Sequence, residues 1–268
     1  QSKFFSDLKF LNLVDYYVKK KKIKYIYVEN FFLKKIIKKK HKHIKVFLNS
    51  HSIKSLILSF LNNFLSLIKI ILFSIFMILA KNKKRKKNII NKEIILIETF
   101  FIKNLIYQNK YQERYHKKLF KKFSYTQRKE SYFFPINLSI FSIFKFLRIT
   151  KKESMKFIHI LDYLKPKDYL KSIFFLISLG RIGSKNILYE NYNISKIITF
   201  YRLNSLFNES SFLSNLNFYF LKRLKDEKIN IKLIIDWYEN QTIDKGLIIG
   251  KNLFYPKTKL KGHMGFCE

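Results

Sequence analysis

Apolar residues recur along the chain with two different periods, and the changes of period mark the elements. Between residues 3 and 22, Phe5, Leu8, Leu11, Leu13 and Tyr16 fall at helical spacing and a lysine run follows, which predicts a helix. "IKYIYVEN" (23–30) reads as a short strand, "FFLKKIIKKK" as a helix and "HIKVFL" (43–48) as a second strand. An opening of helix, strand, helix, strand predicts a layered α/β arrangement. "EIILIE", within residues 91–104, is a buried strand, and "ESYFFPINLSI" (130–140) is strand-like although it holds Pro135. Helical text covers 141–180, with 154–164 as one helix and Pro166 in the first turn of the next. Residues 194–225 read as helical throughout. The stretch "NIKLIIDWYENQTIDKGLIIG" (230–250) gives a strand over 231–236 and a helix over 242–249. With a strand over 259–266 these complete a βαβ unit.

The most apolar segment, "SLILSFLNNFLSLIKIILFSIFMILA" (55–80), is followed by the basic cluster "KNKKRKKN" (81–88). Its length suits a bilayer core of about 30 Å, which takes roughly 20 residues. Asn62, Asn63 and Lys69 interrupt it, and only 70–80 lacks charge and amide. The expectation is therefore a membrane-interfacial helix over 55–88 with its basic cluster on anionic headgroups. A buried core helix with a solvated basic loop, or a true span, are the alternatives.

Composition changes this picture only in part. A 268-residue chain with 48% hydrophobic residues can bury a sizeable core. The formal charge of +36, from 54 Lys+Arg against 18 Asp+Glu, ordinarily points to nucleic acid or an anionic membrane. Lysine, isoleucine, asparagine and phenylalanine are abundant while glycine and proline are scarce, the bias of an AT-rich genome, so part of the charge carries no functional meaning. Cys267 is the only cysteine, and His41, His43, His51, His116, His159 and His263 show no ligand spacing, so no metal site is expected. Neither GxGxxG nor GxxxxGK[ST] occurs. The chain starts at Gln1 in a helical pattern and stops just after a strand, which reads as a fragment lacking both native ends.

In an open α/β sheet, ligands bind outside the carboxyl ends of the strands. Glu98 and Glu239 fall at such ends, where a carboxylate serves as general base toward a hydroxyl or accepts two hydroxyl hydrogen bonds. Each equally suits a helix start, where negative charge gains about 0.3–1 kcal/mol. Arginine is scarce beside lysine, so Arg114, next to Tyr115, suggests a need for a forked donor for phosphate or carboxylate, unless it simply pairs with Glu113. Arg202 follows the same logic. In "LGRIGS", Gly180 or Gly183 is the expected helix cap beside Arg181.

Several of these segments together resemble a family of bacterial surface-carbohydrate (capsule and lipopolysaccharide) biosynthesis proteins. "EIILIETFFIKNLIYQNKYQERYHKKLF" is similar to the family's strand and acidic-Thr-Phe element preceding a "(D/E)RYYPGL"-like stretch, and "SYFFPINLSI" to its "YFVPT" strand. "IKLIIDWYENQTIDKGLIIGKNLFYPKTKLKGHMGF" resembles its "WFENQ…DKGL…G…(F/Y)P…K…GYQGF" block, the most specific part. The matching positions are Glu98, Thr99, Arg114, Tyr115, Trp237, Glu239, Asn240, Gln241, Asp244, Lys245, Pro256, Gly262, Gly265 and Phe266. His116 and Lys117 stand where tyrosine and proline are usual, and His263 and Met264 replace Tyr-Gln.

The resemblance implies a GT-B-type glycosyltransferase. The chain would be its Rossmann-like, acceptor-side N-terminal domain, an α/β fold with an inserted apolar and basic helix. Sugar would pass from a nucleotide-sugar donor to a glycan or lipid-linked acceptor at the cytoplasmic face of the inner membrane, without a cofactor or bound metal. Glu239 or Glu98 would act as base. Arg114 and Lys245 would steady anionic groups, and Tyr115, Trp237, Asn240 and Gln241 would contact substrate, unless Trp237 only closes the core. The alternative supported by +36 and the aromatic–lysine mixture is an RNA-binding or ribosome-associated protein, with nucleic acid as partner in that case alone. An integral membrane protein and a non-catalytic glycan-binding factor complete the set.

Overall fold

The structure is a computed structural model. It describes the chain apart from residues 1–2, 21–22, 50, 83–88, 90–91, 102–105, 108–109, 112–116, 137–139, 151–154, 182–185, 238–240 and 263–268. The elements begin with α1 (Lys3–Lys19), β1 (Tyr25–Val28), α2 (Phe31–Lys40), β2 (Lys45–Leu48), α3 (His51–Leu79) and β3 (Glu93–Thr99). Then come β4 (Ile106–Tyr107), β5 (Lys110–Tyr111), α4 (Lys117–Lys122), α5 (Tyr125–Glu130), β6 (Ser131–Pro135), α6 (Ile140–Thr150) and α7 (Ile160–Tyr163). The remainder is α8 (Pro166–Arg181), β7 (Leu188–Tyr189), β8 (Tyr192–Asn193), α9 (Ser195–Asn204), α10 (Glu209–Asp226), β9 (Asn230–Asp236), α11 (Thr242–Phe254) and β10 (Lys259–Gly262). The chain divides into two compact units, residues 1–67 with 175–207, and residues 68–174 with 208–268.

In the first unit β1 and β2 pair in parallel and α2 connects them. Asn30 starts α2 by accepting the Phe32 N–H at 2.8 Å. Its amide donates to Asp7 of α1 at 3.3 Å, and the Tyr201 hydroxyl of α9 donates to the same carboxylate at 2.7 Å. Burial pushes the Asp7 carboxyl up, against the lowering effect of these two donors. Leu11, Ile37 and Ile197 are fully buried between the three helices. Strands β7 and β8 form a two-residue hairpin whose turn, Glu190 and Asn191, has φ of 48° and 63°, the positive values that match the strand twist.

The second unit is built on a four-stranded, wholly parallel sheet in the order β10-β9-β3-β6. Every residue of β3 from Ile94 to Thr99 is buried, as the uninterrupted apolar run in its sequence requires of a strand covered on both faces. Helix α11 makes the β9-to-β10 crossover and packs along α10. Phe220 of α10 lies 5.7 Å from Phe134 of β6, ring to ring, and meets Tyr163 of α7 edge-on. After α11, the Tyr255 hydroxyl and the Thr258 hydroxyl donate to Ile229 O and Ile231 O, fastening the return loop to β9.

Three sequence expectations change. Of the helix expected over 154–164, only the single turn α7 forms: Phe133 N–H bonds Lys156 O and Ile158 N–H bonds Phe133 O, which draws Phe157 alongside β6 as an added bridge. The helix expected over 194–225 is two, α9 and α10, separated by a turn that Asn208 closes by capping α10. Gly180 lies inside α8, where an added Cβ would stand 3.0 Å from Leu206, and so is not the cap; Gly183 lies outside the described residues.

Helix α3 is 29 residues long. Ile70, Phe73, Ser74 and Met77 form its buried stripe, while Ile71, Leu72, Ile75 and Leu79 on the other side are exposed, as are Phe60, Leu61, Phe64 and Leu65 one to three turns earlier. By length and composition Ile57–Leu79 is able to cross a membrane, and 22% of an 18-residue apolar window within it is buried. Asn63, read as an interruption, donates to Ser59 O and to Leu203 O.

Candidate functional site

The strand pairing fixes what meets at the carboxyl end of the second unit's sheet. Ile97 of β3 is level with Ile235 of β9, so the next residues, Glu98 and Asp236, stand side by side on the same face. A register shift at Ile94/Ile95 sets this level, because it leaves Lys232 between the two paired stretches. Helix α11 begins just beyond, and its third residue, Asp244, turns back toward the strand ends. The Asp244 carboxylate accepts the Gln241 N–H at 2.8 Å, which satisfies a helix-start donor and places negative charge where the helix dipole favours it. Carboxylate oxygens of Glu98, Asp236 and Asp244 all lie within 4.8 Å of one another, and all three residues are buried.

Around this cluster, Thr99 follows Glu98 and is fully buried, its hydroxyl bonded to that of Tyr111. The Tyr111 hydroxyl also donates to Phe100 O, and its ring stacks on Phe101. These contacts hold the end of β3 firmly in place. Trp237 comes next after Asp236 and is 8% exposed, so it offers little open face for a sugar to stack on. Gln241 and Lys245 are exposed, at the start and in the second turn of α11.

Of the residues expected from sequence, the structure thus gathers Glu98, Trp237, Gln241 and Lys245 near the ends of β3 and β9. Glu239, Asn240, Arg114 and Tyr115 lie outside the described residues. Arg202 belongs to the first unit. Asp236 was legible only as the last letter of a strand and Asp244 only as a family match; the signal that groups them is the pairing of two strands more than 130 residues apart in sequence. A separate cavity of about 450 Å³, lined in part by Arg128, Lys129 and Lys156, opens at the amino-terminal end of β6, the other edge of the sheet. Two of these cations are spent on backbone carbonyls: Arg128 on Phe123 O and Lys121 O, Lys156 on Lys129 O.

No protein-family model, curated protein or solved structure matches this chain.

Proposed function

We propose that the chain is the acceptor-side part of a GT-B-like glycosyltransferase of surface-polysaccharide synthesis, with its site at the carboxyl ends of β3 and β9. The observation that carries this reading is the gathering of Glu98, Asp236 and Asp244 at the end of a parallel sheet where ligands of such sheets bind. In the sequence, Asp236 directly precedes the "WYENQ" segment that resembles the carbohydrate-biosynthesis block. An acceptor hydroxyl gives its proton to a carboxylate, its oxygen attacks the anomeric carbon of the donor, and the bond from that carbon to the nucleoside diphosphate breaks. Glu98 is fully buried, so the role of base toward an incoming hydroxyl falls in this reading to Glu239, which follows β9 by three residues in the sequence. Lys245, with Arg114, would balance the departing phosphates.

Donor turnover by the full-length protein of which, on this reading, the chain is part, over a panel of nucleotide sugars with wild type, Glu239→Gln and Glu98→Gln side by side, tests this. Loss of a general base is expected to lower turnover by about 10²–10⁴-fold with the fold retained. Turnover indifferent to both substitutions would remove the site from the strand ends, and no turnover of any donor would overturn sugar transfer.

The same reading places the protein at the inner face of a membrane, held by α3 and the basic residues that follow it. Replacing Phe60, Leu61, Phe64 and Leu65, all about half exposed or more, with serine removes apolar surface from the helix without touching its buried stripe. Partitioning onto phosphatidylserine-containing vesicles is expected to fall by more than about tenfold in a flotation assay. Equal flotation of the variant would refute anchoring through α3.

A further inference from the structure

We propose that Glu98, Asp236 and Asp244 form a binding site for one hard divalent cation of the Mg²⁺, Mn²⁺ or Ca²⁺ class. The inference rests on the geometry of the cluster and is independent of sugar transfer.

Asp236 is fully buried, and among the described residues neither of its carboxylate oxygens has a hydrogen-bond partner. Buried charges are paired or coordinate metals, because an ion removed from water with nothing in exchange is strongly disfavoured. An Asp236 oxygen lies within 4.8 Å of one carboxylate oxygen each from Glu98 and Asp244, and a cation among the three would offset their mutual repulsion. The fold builds this arrangement from three separate elements, since β3 and β9 supply one carboxylate each by register and the first turn of α11 supplies the third. The Gln241 N–H orients the Asp244 carboxylate, the outer-shell support that ligating carboxylates receive.

The donor set selects the class of ion. Three carboxylate oxygens, without thiolate or imidazole among the described residues, suit Mg²⁺, Mn²⁺ and Ca²⁺ and are a poor match to softer ions. Oxygens bound at about 2.1 Å around Mg²⁺ lie about 3.0–4.2 Å apart, and at about 2.4 Å around Ca²⁺ about 3.4–4.8 Å apart. The upper bound of 4.8 Å on the observed separations coincides with the upper end of the Ca²⁺ range. Six or more ligands are usual for such ions, so positions remain for water or for oxygens of a bound anion.

The experiment uses the 268-residue chain without a histidine tag, stripped by a chelator and titrated with Mn²⁺ while free Mn²⁺ is followed by electron paramagnetic resonance. One Mn²⁺ per chain is expected, displaced by excess Mg²⁺ or Ca²⁺. Asp236→Asn and Glu98→Gln should each weaken it by about tenfold or more, since loss of outer-shell partners alone costs that much. Thermal melts give a second readout. In the chelator Asp236→Asn should melt at or above the wild-type temperature, having lost the repulsion. With saturating Mn²⁺ the order should reverse, because the ion stabilises only the chain that binds it. Equal Mn²⁺ binding by wild type and both variants, or a wild-type melting temperature that ignores Mn²⁺, would overturn the proposal. Should Asp236→Asn fail to fold, Glu98→Gln and the wild-type melts still decide it.

Discussion

Gly246→Ala is expected to prevent the second unit from folding, at a cost above about 4 kcal/mol. A Cβ at this position would stand 1.7 Å from Ser214 O, 2.5 Å from its carbonyl carbon and 2.8 Å from its Oγ. The first two are backbone atoms of α10, so no rotamer change relieves the clash; α10 and α11 would have to move apart. Separation also breaks the Gly246 N–H bond to Ser214 Oγ, 2.8 Å long. Against this, alanine gains about 1 kcal/mol of helix propensity over glycine. Sterics therefore win by a wide margin. Gly250→Ala, one turn later, meets Leu221 and Phe218 at 3.2–3.3 Å and is the mild control, expected to change stability by about 1–2 kcal/mol. Soluble yield and circular-dichroism melts of the two variants are the measurement. A Gly246→Ala protein that melts with the wild type would show that the two helices do not approach this closely.

The second large effect is expected from Arg223, on α10. Its guanidinium grips Asp168 of α8 with two bonds, Nε to Oδ2 at 2.8 Å and Nη2 to Oδ1 at 2.5 Å, and reaches Asp226 with Nη1 at 2.6 Å. Asp168 is fully buried and Arg223 nearly so. Removing the arginine leaves a buried carboxylate with, among the described residues, only the Lys165 N–H, and Arg223→Met is expected to lose about 3–5 kcal/mol in a urea melt. The double variant Asp168→Leu/Arg223→Met should recover much of that loss, as replacement of a buried pair by apolar groups often does. Additive losses would place the two residues in separate interactions.

The pair also sets an acid limit. Burial alone would push the Asp168 carboxyl up, but the Arg223 hydrogen bonds and charge, with the Lys165 N–H, hold it below the ordinary carboxylate range. A depressed carboxyl contributes its full stability above the unfolded value of about 3.9 and loses it as pH falls through the lower folded value. The gap between wild type and Asp168→Asn should hold near neutrality and close below about pH 4.

What the sequence reveals of this protein divides along physical lines. Strand β3 is legible because burial on both faces demands an unbroken apolar run, which "IILI" supplies, and β9 because "LII" continues the apolar pattern after the exposed Lys232. The β9–α11–β10 unit is legible because strand, helix and strand follow at short range. The segment at Met155–His159 defeats the reading, since "MKFIHIL" spaces its apolar residues as a helix would, yet long-range bonds to Phe133 hold it extended. Tertiary pairing there outweighs a propensity that is at most a few tenths of a kcal/mol per residue. The carboxylate cluster was one-third visible: Glu98 announces itself at a strand end, but its companions depend on register. Arginine scarcity drew attention to Arg114 and Arg202, while Arg223, whose fork is fully used, sits 55 residues from its partner and shows no local sign.

The division of the chain into units has a consequence in time. The first unit needs both residues 1–67 and residues 175–207, and the segment between them belongs to the other unit. During synthesis at about 5–20 residues per second, the amino-terminal half of α3 leaves the ribosome on the order of ten seconds before the last of its own unit does. Through that interval Leu11 and Ile37, which end fully buried in one core with Ile197, lack part of that core. Synthesis is thus the stage at which the first unit's apolar residues have the greatest need of cover.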